Sequence, residues 1–389
     1  MSGIKRVLQE KVVGHMKGAV APSYVDGAVV SGEVHKDIFA VDIGFGYTKF
    51  KSTDAEGAIA SLCNSIGSLY ELQVDEVQNE NIINSLAIEH DGQVILVGKL
   101  ASKYNPQVAR STYRERSLDD NFLPLYKAAI VSAFAGYSNV ELTVVTGLPN
   151  DDLEQIADLR AIIESVDHVS YYNARTKHTI CLKYEDIIIK TQPEGFRAEI
   201  IRDEELKDIE IKRMGVLDFG HGTLNVSLFD GEDLLAIGTK TFSTSGVHAM
   251  HDTMALALKG KFTQFEPTHL AVETALIKKE VKVRNHVYPI VEEVESIKRK
   301  YAHDSFKVIY EKWKAELDQL NIIFITGGGS HLIADEVAQI FEEKAKYDHV
   351  YGVGSSQFLT VRGYYRIGED SVGEIVDESV EMGEQDGER

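Results

Sequence analysis

The sequence predicts two related α/β domains, the second a structural repeat of the first. The chain has 389 residues, past the size at which one hydrophobic core usually stops growing. Short apolar strands alternate with long amphipathic helices, a pattern that excludes a bundle or a sandwich. One strand–turn–strand segment also occurs twice. Residues 41–50 read VDIGFGYTKF and residues 217–226 read LDFGHGTLNV. Each is an apolar strand ending in Asp, then one apolar residue, Gly-x-Gly and a second strand.

Composition narrows the classes. No stretch approaches the ~18 consecutive apolar residues of a membrane span. Cys63 and Cys181 are the only cysteines, too few for a disulfide scaffold, a zinc ribbon or an iron–sulfur cluster. With no compact apolar run at the start, a reducing, cytoplasmic location is expected. The formal charge is −20, and residues 369–389 hold nine acids against one Arg. Such a field opposes direct binding of nucleic acid, so any link to DNA is expected to run through a partner.

Residues 1–36 read as an extension. Ile4, Val7, Leu8, Val12 and Met16 fall near helical spacing, with Lys5, Arg6, Lys11 and Lys17 between them. A helix packed on the body or on a neighbouring subunit is the favoured reading, and membrane contact through residues 1–18 the less favoured one. The first domain, 37–211, opens with the apolar run Ile38–Ile43, suited to a strand buried on both faces. Residues 85–90 and 93–97, joined by Asp91-Gly92, signal a hairpin. Residues 122–135 are spaced for a helix with Leu123, Tyr126, Ile130 and Phe134 on one face. Strands follow at 140–146 and in two runs around Glu185-Asp186. The second domain, 212–365, has strands at 214–219 and 321–326. Its helices are expected at 248–259, twice between 291 and 320, and at 330–346. Residues 366–389 read as a return segment and an acidic disordered tail.

The repeated turn has a chemical reading. Glycines allow a tight turn and close approach of a ligand, and clustered backbone N–H groups suit a phosphate. The first turn offers Gly44, Gly46, Tyr47 and Thr48, and the second Gly220, Gly222 and Thr223. Asp42 and Asp218 at the strand ends would repel phosphate directly, so both are read as carboxylates beside a hydrated Mg²⁺. Lys49, on the return strand, is placed to reach a β-phosphate oxygen. Two such hairpins predict a nucleotide cleft flanked by the domains. A third element, Phe324-Ile325-Thr326 followed by Gly327, Gly328, Gly329 and Ser330, runs from a buried strand into a helix start, a surface for adenine and ribose. Gly246, before the helix at 248, is a further candidate contact. Gly92–Lys99 imitates a P-loop, but its spacing is one residue too long and Leu100 replaces the Ser/Thr. It is also expected to lie in a hairpin rather than before a helix.

In this order, the elements resemble the actin/Hsp70/sugar-kinase ATPase superfamily, and within it the ParM-type bacterial actins. The segments 144–149 (VVTGLP), 190–194 (KTQPE), 355–358 (SSQF) and 363–368 (GYYRIG) are similar to that group's patterns. The resemblance implies actin-like (RNase H-like) domains that bind ATP, with GTP left open, and Mg²⁺. It implies that Asp218 helps hold the metal and that Glu194 orients the attacking water. It also implies a homopolymer filament driven by ATP hydrolysis, in plasmid or phage DNA segregation, with a small DNA-binding adaptor. His221, where Gly is usual, and Gly195-Phe196-Arg197 depart from the pattern. A small-molecule kinase of the same superfamily and a membrane-associated MreB-like protein are the alternative readings.

Overall fold

The computed structural model describes residues 34–67, 83, 86–105, 108, 119–173, 176–202, 206, 211–353 and 356–385, with side chains on the final helix as far as 373. The expected N-terminal helix and its membrane contact lie outside these residues. The described chain forms two compact units. One runs to Leu206 and includes the segment from Phe358 onward; the other spans Lys207–Gln357.

The first unit is built on nine strands: β1 (His35–Ile43), β2 (Tyr47–Lys51), β3 (Glu56–Ala60), β4 (Cys63–Ile66), β5 (Ala87–His90), β6 (Gln93–Val97), β7 (Asn139–Leu148), β8 (His168–Asn173) and β9 (Thr176–Thr191). They lie in the order β3-β2-β1-β7-β9-β8-β5-β6-β4. Strand β1 is antiparallel to β2 and parallel to β7. Because side chains alternate along a strand, Phe39, Val41 and Ile43 enter one core and Ile38 and Ala40 another. The helices are α1 (Lys99–Tyr104), α2 (Phe122–Phe134), α3 (Ile156–Glu164) and α4 (Gln192–Ile200). Burial of α2 is wider than its expected stripe. Leu125, Ala128 and Ala129 are buried with Tyr126, Ile130 and Phe134, so small residues let the helix sit close to its surroundings.

Three local expectations are corrected. The two runs around Glu185-Asp186 form one strand, β9, with a bulge: Leu142 pairs with Tyr184 and Thr143 with Asp186, leaving Glu185 as the extra residue. One inserted residue shifts the alternation and mimics a strand break in sequence. Lys99 does open a short helix, although Leu100, where a P-loop needs a hydroxyl, is buried as core. Residues 291–320 form one long helix and a 3₁₀ turn rather than two helices. At the 85–97 hairpin, Asp91 (φ 51°) and Gly92 (φ 73°) both take the left-handed conformation of a tight two-residue turn.

The second unit carries β10 (Arg213–Phe219), β11 (Leu224–Asp230), β12 (Asp233–Leu234), β13 (Lys240–Phe242), the separate pair β14 (Glu280–Val283) and β15 (His286–Pro289), then β16 (Ile322–Thr326) and β17 (Val350–Gly352). Its sheet runs β12-β11-β10-β16-β17, with β13 also on β11. As in the first unit, the hairpin's leading strand is antiparallel to its return strand and parallel to the next long strand, here β16. Helices α5 (His248–Lys261), α6 (His269–Lys278), α7 (Val291–Trp313) and α8 (Ser330–Ala345) complete the unit. Trp313 is fully buried, its indole N–H donates to the Gly238 carbonyl at 2.7 Å, and its ring fills the space a Cβ on Gly215 would take.

The closing helix, α9 (Ser356–Gln385), runs through residue 365 and corrects the expected end of regular structure at Gly368. Val361, Tyr364 and Tyr365 pack on Ala40 and Val145 of the first unit. Glycines permit this contact: a Cβ on Gly195 would lie 2.5 Å from the Tyr364 ring, and one on Gly363 would fall on the Gly195 carbonyl. Arg362 forks onto both Glu56 oxygens at 2.7 and 2.6 Å, and Arg202 engages Asp370. The Leu-Pro, Pro-Glu and Gly-x-Tyr segments thus meet through Gly147, Gly195 and Tyr364.

Candidate functional site

The two Gly-x-Gly turns share one internal geometry. In the first, Gly44 N–H donates to the Tyr47 carbonyl at 3.2 Å; in the second, Gly220 N–H donates to that of Thr223 at 2.9 Å. Cross-strand partners correspond too, Asp42 facing Lys49 and Asp218 facing Asn225. The repeat read from sequence is therefore a repeat of strand register and turn hydrogen bonding.

In the first unit, Asp42 is buried at the end of β1. Lys49 Nζ donates to its Oδ2 at 2.8 Å, and Gln192 Nε2 donates to its Oδ1 at 3.2 Å. Gly46 is buried, and Tyr47 is exposed. Thr48 turns inward: its hydroxyl lies 3.1 Å from that of Ser61, which donates to the Gly44 carbonyl at 2.6 Å. Thr48 thus braces the turn from behind, with Ser61 as a support the sequence reading missed.

Gln192 is the other missed residue. It is the first residue of α4, whose start is fixed by a capping box. The Thr191 hydroxyl accepts from Glu194 N–H at 3.3 Å, and Glu194 Oε2 accepts from Thr191 N–H at 2.7 Å and from its hydroxyl at 2.7 Å. The third-position carboxylate is thereby folded back onto the helix start, and the first-position amide is the group delivered to Asp42. The pattern Thr-x-x-Glu was the available signal. Glu194→Ala is expected to cost about 1 kcal/mol of stability through loss of the cap, measured by urea unfolding. A loss of turnover with unchanged stability would support the water-orienting role that the resemblance implies for Glu194.

In the second unit, three segments converge on the end of β10. Val247 and His248 N–H groups donate to the Gly220 and His221 carbonyls at 3.1 and 3.0 Å, and Gly329 N–H donates to that of Phe219 at 2.9 Å. These carbonyls are drawn into the unit and away from any anion at the turn. Gly246 lies so close that a Cβ would strike the Gly222 and His221 backbone. Gly327, at φ 92°, would drive a Cβ into the Asp218 carboxylate. Gly328 differs: a Cβ there meets nothing within 4 Å, so packing inside the chain does not demand glycine, whereas close approach of a ligand would. Ser330 is buried at the start of α8. The Tyr301 hydroxyl donates to the Ser245 carbonyl at 2.6 Å, and burial raises its pKa far enough to keep that proton. Burial likewise lowers the pKa of His331 below the ordinary range, so it adds no cation at neutral pH.

Among the described residues, no three His, Cys, Asp or Glu side chains cluster as a metal site. The donors present suit Mg²⁺, which takes one or two carboxylates and is otherwise held by water and phosphate. Asp42 and Asp218 are carboxylates at matching strand ends. Among the described residues, no helix is long and apolar enough to cross a membrane.

The comparisons agree with this geometry. The family model for the N-terminal domain of actin-like proteins matches residues 40–195, and that for the C-terminal domain of the archaeal actin homologue MreB-like matches residues 216–339. The chain belongs to the actin-like superfamily and resembles its ParM-type members. No curated protein sequence matches it. A ParM from a 15-stranded Clostridium botulinum filament has a similar fold, with TM-score 0.71, 16% identity, and coverage of 87% of this chain and 100% of that one. The archaeal actin homologue Ta0583, in complex with ADP, gives 0.67 at 18% identity over 86% and 99%. The actin-like protein Alp7A gives 0.71 at 13% over 88% and 99%.

Proposed function

We propose that this chain is an ATPase whose Mg-ATP cycle drives assembly and disassembly of a homopolymer filament. The observation carrying the reading is the duplicated Asp-x-Gly-x-Gly hairpin with the same register and the same turn hydrogen bond in both units. The Gly44–Thr48 turn and the Gly220–Thr223 turn are each read as a phosphate-binding turn, with Asp42 and Asp218 as the carboxylates for Mg²⁺. The ion would neutralise charge on the phosphates. Lys49, already paired with Asp42, would hand part of its charge to a phosphate oxygen. Gly246 and Gly327–Ser330 form the base-and-ribose side. GTP in place of ATP remains an alternative substrate.

Gln192 is proposed to orient the attacking water, since an amide both donates and accepts and stands beside the Asp42 carboxylate. Gln192→Ala is expected to lower single-turnover hydrolysis by about 10²-fold and leave nucleotide affinity within a few-fold. Rapid-quench assays with separately measured affinity would show this, and unchanged hydrolysis would remove Gln192 from the mechanism. Filament formation draws support from solved relatives described as filaments, the C. botulinum ParM and Alp12. Plasmid or phage DNA segregation, with a small basic DNA-binding adaptor on the acidic body, completes the proposed role in the cytoplasm. A pull-down of such an adaptor should weaken as salt rises.

A further inference from the structure

An acidic segment follows Gly368. Its first two acids are engaged by the first unit, Glu369 with Arg366 at 2.9 Å and Asp370 with Arg202. Seven further acids lie between Glu374 and Glu388, with Arg389 the only cation, and Val372, Ile375, Val376 and Val380 are interleaved among them.

The second unit holds a recess of the opposite charge. A cavity of about 350 Å³ between α7 and α8 is lined by Arg299, Lys300, His303, Ile340, Glu343 and Lys344, together with Ser296. Glu343 is its only carboxylate, and Arg299 grips both Glu343 oxygens at 3.1 and 2.8 Å, holding that carboxyl below its usual range. Among the described residues, Lys300 and Lys344 have no carboxylate within ion-pair distance, although both are exposed on a chain of net charge −20. In such a field, a cavity wall with Arg299, Lys300 and Lys344 against the single carboxylate Glu343, and with an apolar side chain among them, favours an acidic, partly apolar peptide.

We infer that the α7–α8 recess is a docking site for the acidic segment 374–388 of a second copy of this chain. Lys300 and Lys344 contact the carboxylates, and Ile340 meets an apolar residue between them. The contact does not depend on nucleotide chemistry, so it stands or falls separately from the ATPase reading.

The test uses the full chain with its own segment neutralised by Glu374→Gln, Asp377→Asn, Glu378→Gln, Glu381→Gln and Glu384→Gln. A fluorescent peptide of residues 369–389 should bind it at about 10–100 µM, the range for a few exposed charge pairs, and more weakly as salt rises. Adding Lys300→Glu and Lys344→Glu should weaken binding by about tenfold or more, with circular dichroism unchanged because both sites are exposed. Equal binding to that variant, or none to the parent, overturns the proposal. Displacement by millimolar inorganic phosphate would make the recess a phosphate site and also overturn it. Carbodiimide cross-linking of mixed isotope-labelled and unlabelled wild-type chains should join Lys300 or Lys344 to segment acids across copies. Links confined to single copies would rule out a second copy as the source.

Discussion

Asp218→Asn should reduce ATP turnover by about 10²- to 10³-fold, the usual size for losing one positioned group that stabilises transition-state charge. The fold should survive. Asp218 ends a fully paired strand, and the amide is close in shape to the carboxylate, so packing against Gly327 is retained. What changes is the charge offered to Mg²⁺. Phosphate release measured across a magnesium titration separates the outcomes. A defect recovered at high Mg²⁺ places Asp218 in metal binding, and a defect that persists places it in water or phosphate positioning. Turnover within a few-fold of wild type would remove Asp218 from the site.

The second large effect is structural. Gly363→Ala should destabilise the first unit by about 3 kcal/mol or more, at the upper end for inserting a methyl group into a packed interior. The added Cβ would meet the Gly195 carbonyl and, at 3.2 Å, the Glu199 backbone nitrogen. Neither is the movable end of a side chain, so relief requires separating α9 from α4. That separation would also loosen fully buried Tyr364. Against a typical total of 5–15 kcal/mol, such a loss is large. Urea unfolding should show a lower midpoint, and a change under about 1 kcal/mol would mean that the α4–α9 contact is looser than described.

The legible parts of this protein were those fixed by local pattern. The strand–turn–strand repeat was visible because Asp, Gly and Gly recur at identical spacing, and the residues that set the turn hydrogen bond lie within four positions of one another. The Asp91-Gly92 hairpin and the α8 start at Ser330 were legible for the same reason. The fate of α9 was not. Nothing near Tyr364 in sequence says that it packs between Gly147 and Gly195, about 170–220 positions earlier, so the return segment was expected to begin only at residue 366 and the start of α9 was placed in the second domain. The bulge at Glu185 hid a continuous strand. At Gln192 and Glu194 the difficulty was competition between two readings of one short segment. The resemblance points to the carboxylate, while the helix start uses that carboxylate as a cap and presents the neighbouring amide to Asp42.

ATP-driven assembly is tested by right-angle light scattering recorded together with phosphate release after Mg-ATP is added to the full chain. Scattering should rise on addition and decay as the ATP is consumed. Hydrolysis at constant scattering, or no nucleotide binding at all, would contradict it.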